Sequence, residues 1–429
     1  MKLPKLLAAL AVASVALAAC GGGGGGNQAN KGTIKIGVDL PESGSEASDG
    51  IPTLNGAKFA VQQAGTVQGF KLEVSNLDDA VNGVHDPQKG AQNIQSFVSD
   101  SSVLGVVGPF NSSVARAEIP ISNRAHLTQI SPANTNQCLT KEVYIPTSLG
   151  APKDVTCKDA GLPAPSELRP AGVNNYFRVA TTDDLQGPAI ADYAVEELKL
   201  TKVAVASDNE VFGKGVADTF AAELKKKGGT QVDRFDYDAK TTTDFKTFLT
   251  RAKSKGAQAI YFGGTTSNKG CVMRAQMKGI FPPETPFLGP DGIQEAQCIK
   301  DAGDMAAHIF ASVAAPNAEQ IPESKSIIDA FKKAFPNKSD FGAYSMPAYD
   351  CAKILIAAID RAIKANNGNM PSREQVRAEV AKTSDYSGAL GKTSFDKNGD
   401  TSQKIISIYE AKGSPVDYTW VKQVNFAGA

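Results

Sequence analysis

One stretch of the chain decides the fold: Gly105-Val-Val-Gly-Pro-Phe-Asn-Ser-Ser-Val-Ala-Arg-Ala-Glu-Ile-Pro-Ile-Ser-Asn-Arg-Ala-His-Leu-Thr-Gln-Ile-Ser-Pro-Ala-Asn-Thr135. The apolar run at 103–107 predicts a buried strand, and 111–113 carries the Asn and Ser side chains that favour a helix start. A second strand is predicted at 126–130, followed by the hydroxyl-rich segment 131–135. Two strand ends with free amides and hydroxyls predict a binding place for a carboxylate or phosphate, with two ordinary helix caps as the alternative.

Strands and helices alternate on both sides of this stretch, in two runs. The first run has predicted strands at 33–40, 70–77, 103–107 and 126–130, and helices at 52–63, 87–98 and from 112 onward. The second run has predicted strands at 202–206, 231–237, 259–262, 287–288 and 309–313, and helices at 213–227, 244–254, 268–278 and 296–302. This alternation predicts an α/β protein with two doubly wound lobes, each built on a parallel-type sheet.

Three further segments complete the chain. Residues 138–174 are rich in Pro, Gly and Thr and lack periodicity, which predicts an inserted surface loop. Residues 323–382 have mostly helical spacing, which is strongest at 349–364. Strands are predicted at 393–395 and 404–409. The acidic residues 396–400 between them lack the spacing and the closing Glu of a calcium loop, so we predict a hairpin turn.

The composition excludes several classes of protein. The chain has 429 residues, enough for two or three domains, and 41% of them are hydrophobic, as in soluble globular proteins. Lys plus Arg and Asp plus Glu both number 45, so the formal charge is zero. This balance argues against binding of nucleic acid and against docking on a membrane through a basic surface.

The first 20 residues predict export. Lys2 and Lys5 precede an apolar segment at 6–16 that is too short to span a bilayer comfortably. The following Leu17-Ala18-Ala19-Cys20 resembles the lipobox of bacterial lipoproteins, which implies that the cysteine carries a lipid. A plain secretory cleavage site or an uncleaved anchor is the alternative. The Gly-rich residues 21–32 predict a flexible tether between the membrane and a folded body.

An exported protein can keep disulfides, and five cysteines follow the tether. Cys138 and Cys157 flank a Pro-rich segment, and we hypothesise a local bridge between them. Cys271 and Cys298 lie on neighbouring α/β units and form the second hypothesised pair. Cys351 lies in an apolar, helical pattern that predicts a buried free thiol. The cysteine spacings do not predict a zinc site.

The sequence lacks the common catalytic motifs. It has no Gly-x-Ser-x-Gly elbow, no His-Glu-x-x-His pair and no P-loop. Its three histidines, His85, His126 and His308, are interpreted as structural. The adjacent acids at 78–79 and 183–184 are poor acid/base pairs, because neighbours on a strand face opposite sides. We therefore expect no enzyme activity, no metal and no cofactor.

Asp291 differs from the other acids in its position. It lies in Gly289-Pro-Asp-Gly292, at the carboxyl end of a predicted strand of the second run, where open α/β sheets bind their ligands. An Asp before Gly is usually a turn former. If the hydroxyl-rich segments of the other lobe lie opposite, this acid becomes the natural partner for an ammonium group.

With these features, the chain resembles the periplasmic-binding-protein family of the leucine/isoleucine/valine-binding type, the capture component of branched-chain amino-acid ABC transporters. The resemblance covers residues 33–409 and rests on the order of short motifs that are individually weak. The motifs are Ile36-Gly37-Val38, Asn55-Gly56-Ala57, Asp78-Asp79, Gly105-Val-Val-Gly108, Ile130-Ser131-Pro132-Ala133, Gln186-Gly187, Phe212-Gly213-Lys-Gly215, Asp244-Phe245, Tyr261-Phe-Gly-Gly264, Gly289-Pro-Asp-Gly292 and Phe395-Asp-x-x-Gly399.

The resemblance implies which residues hold the head group of an amino acid. Ser112, the backbone of Ala133, and Thr135 match the family positions that bind the α-carboxylate. Asp291 matches the acid of the second lobe that binds the α-ammonium, where the family usually has Glu.

The resemblance also implies which residues meet the rest of the ligand. Phe212 matches an aromatic position where Tyr is common, and Thr265 matches a second pocket position that is usually Tyr. Phe110 and the loop at 45–49 are expected to contact the ligand side chain.

A division into lobes follows from the same resemblance. The N-terminal lobe would contain 33–180 and 315–390, with 138–174 as an insertion, and the C-terminal lobe 181–314 and 391–429. Three crossover segments, expected near 179–183, 313–317 and 389–394, would form a hinge on which the lobes close over the ligand.

The implied function is the capture of a small amino acid, branched-chain or otherwise aliphatic, by an extracytoplasmic lipoprotein of an ABC importer, anchored to the bacterial cell membrane. Its partners would be the amino acid, the cognate permease and ATPase subunits and, through the lipid alone, the membrane. No nucleic acid partner is expected, and the protein is expected to be a monomer. The alternatives are the same fold binding an amide, a short-chain acid or an aromatic acid, a ligand-sensing receptor component, and a secreted α/β enzyme.

Overall fold

The computed structural model describes residues 31–426, which form two lobes, each with its own sheet. The predicted signal peptide at 1–20, with Cys20, and the predicted tether up to residue 30 lie outside the described residues. None of the helices in the described part has the length and apolar character that a bilayer crossing requires.

The first sheet is parallel except at one edge. The strands up to residue 178 are β1 (Thr33–Leu40), β2 (Thr66–Val67), β3 (Phe70–Asp78), β4 (Ala80–Val81), β5 (Val84–His85), β6 (Val103–Val107), β7 (Thr128–Ser131), β8 (Val143–Ile145), β9 (Val155–Thr156) and β10 (Tyr176–Arg178). Six of these strands form the first sheet in the order β10-β7-β6-β1-β3-β2, in which only β2 is antiparallel to its neighbour. The strands β4 and β5, like β8 and β9, form separate two-stranded pairs.

The second sheet has a parallel part and an antiparallel edge. The later strands are β11 (Lys202–Ser207), β12 (Thr230–Asp236), β13 (Ala259–Gly263), β14 (Phe287–Gly289), β15 (Ile309–Val313), β16 (Tyr386–Gly388), β17 (Gly391–Thr393), β18 (Ile405–Lys412) and β19 (Asp417–Asn425). The sheet order is β12-β11-β13-β14-β15-β18-β19, and the strands up to β15 are parallel. The last two strands run antiparallel to their neighbours.

Helices cover both faces of each sheet. They are α1 (Ala47–Ala64), α2 (Pro87–Ser99), α3 (Ser112–Arg124), α4 (Asp183–Glu196), α5 (Val211–Lys226), α6 (Lys246–Ser254), α7 (Gly270–Gln276), α8 (Ala296–Ala302), α9 (Lys325–Ala334), α10 (Ser345–Ala365) and α11 (Arg373–Ala381). Because side chains alternate along a strand, Val203 and Val205 join the core under α4 and α5, whereas Ala204 and Ala206 join the core under α6 to α8. The predicted doubly wound α/β architecture is therefore confirmed.

Three crossings connect the lobes, and they are hydrogen-bonded to one another. The backbone N–H of Thr181, in the first crossing, donates to the carbonyl of Ala314 in the second at 2.8 Å. The Thr181 hydroxyl donates to the carbonyl of Ile405, at the end of the third crossing, at 3.1 Å. The crossings thus form one compact joint at the side of the cleft.

The third crossing differs from the predicted hairpin. Phe395 and Thr401 form a single antiparallel bridge around the turn at 396–400, but the flanking strands do not pair, because β17 pairs with β16 and β18 pairs with β15 and β19. The predicted turn is present, but the predicted pairing of the two strands that flank it is wrong. The Asp400 carboxylate accepts a hydrogen bond from Arg178 Nε at 2.7 Å, which ties the turn to the end of β10 instead.

The insertion at 138–174 contacts both lobes. A disulfide joins Cys138 to Cys157, and β8 and β9 pair within the closed loop. The Tyr144 hydroxyl donates to Asp218 Oδ2 of α5 at 2.8 Å, so the insertion leaves the first lobe and reaches the second. It therefore adds a non-covalent link between the lobes.

The second disulfide lies within the second lobe. It joins Cys271 of α7 to Cys298 of α8, and Cys351 is a buried free thiol in α10. Both disulfides are the pairs hypothesised from the sequence.

Among the differences from the predicted elements, two have a clear local cause. The helix α1 begins at Ala47 instead of Pro52, because the proline lies inside the helix and not in its first turn. The strand β19 is absent from the sequence prediction. It is an edge strand with half-exposed residues on both faces, so it lacks the apolar alternation that marks a core strand.

Candidate functional site

Ser112, Ala133 and Thr135, which we call the seat, lie where β6 and β7 end at the edge of the first sheet. Ser112 is the first residue of α3, and its Oγ accepts a hydrogen bond from the backbone N–H of Asn136 at 3.3 Å. Ser131 holds the two loops together, because its hydroxyl donates to the carbonyl of Pro109 at 2.7 Å. All three residues of the seat are buried. The predicted hydroxyl and amide groups are therefore brought together at one end of the first lobe.

Asp291 lies across the cleft, just after β14, and bonds to both lobes. Its Oδ1 accepts a hydrogen bond from Gln186 Nε2 of α4 at 2.6 Å. Its Oδ2 accepts one from the hydroxyl of Tyr344, at the start of α10 in the first lobe, at 2.5 Å. The ring of Phe110 meets the Tyr344 ring edge-on, with 5.3 Å between centroids. The lobes are thus closed, with Asp291 on the side of the cleft that faces the seat.

Burial controls the charge of Asp291. This residue is 7% exposed, and desolvation raises its pKa to about 6, although the hydrogen bonds from Tyr344 and Gln186 favour the ionised form. A carboxylate in such a place is stabilised by a cation that enters the cleft.

A second acid, Asp183, lies close to both Asp291 and the seat. Its backbone N–H donates to the carbonyl of Thr135 at 2.9 Å, and its side chain is completely buried. Burial, and then the charge of Asp291, raise the pKa of Asp183 well above its ordinary value, against the opposing effect of the Thr135 side chain. In the described part of the chain, no Lys or Arg hydrogen-bonds either carboxylate.

Phe212 and Thr265 flank the cleft from the second lobe. Phe212 is half-buried in the first turn of α5, beside Val211, whose carbonyl accepts a hydrogen bond from Asn136 Nδ2 of the first lobe at 2.9 Å. Thr265 is buried after β13, and its hydroxyl shares a hydrogen bond with Ser267 Oγ at 2.8 Å. Both predicted positions therefore lie beside second-lobe residues, Val211 and Ser267, that hydrogen-bond to the first lobe.

Further acids line the cleft beyond Asp291. Glu46 Oε1 accepts hydrogen bonds from His85 Nδ1 at 2.7 Å and from the hydroxyl of Ser267 in the second lobe. Glu295 of the second lobe accepts one from the hydroxyl of Ser48 in the first. The contacts of Ser267 and Ser48 cross the cleft, so they belong to the closed form.

The charge of His85 depends on these acids. Burial alone would lower its pKa, but the charge and hydrogen bond of Glu46, with the charge of Asp79, raise the pKa to about 9. His85 is therefore charged at neutral pH and forms a buried ion pair. Across residues 31–426, no group of His, Cys, Asp and Glu is arranged to hold a metal ion.

Sequence reasoning missed Asp183 and Tyr344. It treats the pair at 183–184 as strand neighbours, but these residues begin α4, where Asp183 is buried and Asp184 bonds to Lys141. Asp183 lies shortly before the motif Gln186-Gly187, and this proximity could have marked Asp183 as a candidate site residue. Tyr344 has no local signal, because its role arises only when the lobes meet.

Comparisons with known proteins identify the family. The family model described as periplasmic binding protein matches residues 33–414. A leucine-, isoleucine-, valine-, threonine- and alanine-binding protein of Pseudomonas aeruginosa is 28% identical over 414 residues, covering 95% of each chain.

Two solved structures share the fold. A branched-chain amino acid transporter substrate-binding protein of Streptococcus pneumoniae, in complex with isoleucine, is 25% identical with a TM-score of 0.71, covering 91% of this chain and 100% of that chain. An ABC transporter solute-binding protein of R. palustris, in complex with 4-hydroxybenzoate, is 18% identical with a TM-score of 0.74, covering 92% of this chain and 97% of that chain.

Proposed function

Because this chain belongs to the periplasmic binding protein family, we propose that it captures an amino acid outside the cytoplasm and delivers it to an ABC importer. The observation that carries the proposal is Asp291, a buried acid of the second lobe that faces the seat of hydroxyls and amides in the first. An α-amino acid presents a carboxylate and an ammonium close together, so it matches both sides of this cleft.

Each site residue has a role in this proposal. The Ser112 and Thr135 hydroxyls and the backbone at Ala133 receive the α-carboxylate, near the N-terminus of α3, whose free amides favour an anion. Asp291 and Asp183 receive the α-ammonium, whose charge offsets the desolvation that raises the pKa of each acid. The side chains that border the rest of the ligand are Phe110, Phe212 and Thr265. No bond is made or broken, so no turnover is expected.

Closure of the lobes on the hinge encloses the ligand. In this proposal, residues 33–180 and 315–390 move as one body and 181–314 with the described part of 391–429 as the other, with the crossings as the pivot. The bond between Tyr344 and Asp291 forms only when the lobes are together, which couples the ammonium site to closure.

The sequence supports an extracytoplasmic place for this function. Lys2, Lys5 and the apolar segment before Cys20 have the order of a lipoprotein signal, and the Gly-rich segment fits a tether. We propose that the protein is a monomer held to the bacterial cell membrane by a lipid on Cys20, where it meets its permease and ATPase partners.

A second candidate is a ligand that has a carboxylate and no ammonium. The R. palustris structure, which contains 4-hydroxybenzoate, favours it. Such a ligand would use the seat but leave Asp183 and Asp291 unpaired, so the buried acids favour the amino acid.

Calorimetry with matched ligands tests the proposal. Aliphatic, polar, basic and aromatic L-amino acids, amides and 4-hydroxybenzoate are screened, and the tightest amino acid is then compared with its 2-oxo analogue, which lacks the ammonium. We expect the loss of the amino group to weaken binding at least 30-fold, on the order of 2 kcal/mol. Equal affinity of the two, or tighter binding of 4-hydroxybenzoate than of any amino acid, contradicts the proposal.

A further inference from the structure

A cavity between the lobes borders the cleft, and we name it the side-chain chamber. Ser48 and Asp49 line it from the first lobe, and Glu295 and Ala296 line it from the second. Its volume is about 800 Å³, within the range of about 300–1,000 Å³ that small-molecule pockets occupy. The chamber therefore has room for a ligand side chain that is longer than a branched aliphatic one.

The inner end of the chamber is acidic. Asp49 and Glu295 line the chamber, and Glu46 lies behind this lining. Burial, and then the charges of Glu295 and Glu46, raise the pKa of Asp49 well above its ordinary value. Asp49 lines the chamber and is also near enough to Asp291 to feel its charge. A long side chain on a ligand held at Asp291 would therefore meet these carboxylates if it entered the chamber.

Within residues 31–426, His85 is the only cation paired with these acids. His85 pairs with Glu46 Oε1, but Glu46 Oε2 is buried and accepts no hydrogen bond within residues 31–426. The Asp49 carboxylate has no hydrogen-bond or ion-pair partner in the same part of the chain. Glu295 is 6% exposed and has hydroxyl partners only, among them Ser48.

The lysines of the chamber are already paired at its outer end. Lys332 Nζ lies 2.7 Å from Glu319 Oε1, and Lys338 pairs with Asp417. No lysine is therefore left for the inner acids among the described lining residues.

An aliphatic ligand side chain does not suit this surface. Closing the lobes over it would bury the carboxylates against methyl groups, which is costly for each one that stays charged. A cation on the ligand removes that cost, and the aromatic walls formed by Phe341 and Tyr418 suit both an alkyl chain and a cation.

We propose that the ligand is a basic α-amino acid of the arginine or ornithine type, whose side-chain cation binds Asp49 and Glu295 at the wall of the chamber, in front of the free oxygen of Glu46. This inference rests on the proposed function, since the head group must occupy the seat and the Asp291 site. It changes the expected side chain from aliphatic to cationic.

Calorimetry with a matched pair of ligands tests the inference on the unmodified protein. L-arginine and L-citrulline have nearly the same shape, but citrulline lacks the charge. We expect arginine to bind at least tenfold more tightly than citrulline and than L-leucine. If leucine binds as tightly as arginine or more tightly, or if citrulline equals arginine, the inference is overturned while the proposed function stands.

Variants separate charge from shape. Asp49→Asn and Glu295→Gln should each weaken arginine binding at least fivefold and leave citrulline binding within twofold. Glu284→Gln removes an exposed charge of the second lobe and should change neither. Equal losses for both ligands would overturn the inference. Failure of every amino acid to bind the unmodified protein would instead reject the proposed function, and this inference with it.

Discussion

The hydroxyl of Tyr344 in the first lobe donates a hydrogen bond of 2.5 Å to Asp291 Oδ2 in the second. This single contact joins the two halves of the cleft at the acid that we assign to the ligand's ammonium. Gln186 holds the other carboxylate oxygen at 2.6 Å, so the direction of the acid in the closed form is fixed by the protein itself. Gln186 belongs to the same lobe as Asp291, so its hydrogen bond can orient the acid before closure, and such preorganisation lowers the entropy cost of binding.

Replacing Asp291 with Asn should weaken amino-acid binding strongly. The variant keeps the shape and one acceptor for Gln186 or Tyr344 but removes the charge that pairs with the ammonium. Loss of one partner of a buried charge pair costs about 2–5 kcal/mol, or roughly 30-fold to several-thousand-fold in Kd. Calorimetry measures the change, with Glu284→Gln as the control. An unchanged Kd would remove Asp291 from the ammonium site.

Replacing Ser112 with Ala should have a smaller effect. The hydroxyl is one of several donors to the α-carboxylate, and a hydrogen bond to a charged group contributes about 1–3 kcal/mol. We expect Kd to rise roughly 5- to 150-fold, with Ser96→Ala on the exposed face of α2 as the control. If Ser112→Ala binds like the unmodified protein, the seat does not use this hydroxyl.

The sequence predicts best the elements whose residues are buried. The limits of β1, β6, α8 and β15 agree with the predicted ones, because an apolar run or periodicity bounded by polar residues marks each of them. The edge strand β19 is missed, since partial burial on both faces leaves no such pattern. The local sequence determines where β1, β6, α8 and β15 form, whereas β19 forms because of its position at the edge of the sheet.

The site is predictable only in part. Ser112, Thr135 and Asp291 follow strand ends, where the fold class alone predicts ligands. Asp183 and Tyr344 depend on how two distant segments meet across the cleft, and nothing in the residues beside Tyr344 encodes that meeting. The acidic chamber has the same origin, because its acids come from different lobes.

Replacing Tyr144 with Phe should loosen the closed form. The hydroxyl links the insertion to Asp218 of α5 at 2.8 Å, outside the proposed ligand site. Asp218 keeps its ion pairs with Lys214 and Arg234, so only one hydrogen bond is lost, at about 0.5–1.5 kcal/mol. We expect ligand to dissociate about 2- to 12-fold faster, as measured by stopped-flow fluorescence.

A control for this variant is Tyr193→Phe. The Tyr193 hydroxyl makes no hydrogen bond within residues 31–426, so its removal should leave the dissociation rate unchanged. If Tyr144→Phe and Tyr193→Phe dissociate at the same rate, the insertion does not stabilise closure.

Amino-acid binding should weaken at acid pH. Burial raises the pKa of Asp291 to about 6, and an ammonium binds only the ionised carboxylate. Above this pKa Asp291 is charged and adds no further pH dependence, whereas below it protons compete for Asp291 and Kd should rise by up to about tenfold per pH unit. Calorimetry from about pH 4.5 to about pH 8, on either side of the raised pKa, measures the profile. In Asp291→Asn the dependence of Kd on pH should be reduced. An equally steep profile in that variant would mean that other groups cause the pH dependence.

The stability of the ligand-free protein should fall as pH rises, because of a buried acid in the first lobe. Glu118 is completely buried, where desolvation, and then the charge of Asp79, raise its pKa to about 8, although Asp39 and Gln129 hydrogen-bond to it. In the unfolded chain its pKa is near the ordinary 4.5. Below pH 4.5 both states hold the proton and the difference vanishes. Between these two pKa values the unfolded state ionises first and is favoured, by at most about 1.4 kcal/mol per pH unit.

Glu118→Gln removes this proton while its amide oxygen can still accept the hydrogen bond that Gln129 Nε2 donates to Glu118 Oε2 at 2.5 Å. Urea unfolding at several pH values between about 5 and about 8 should therefore show a smaller loss of stability with pH in the variant than in the unmodified protein. The exposed Glu284→Gln should follow the unmodified profile, because an acid in water has nearly the same pKa in both states. Parallel profiles for Glu118→Gln and the unmodified protein would mean that Glu118 is ionised in the folded core.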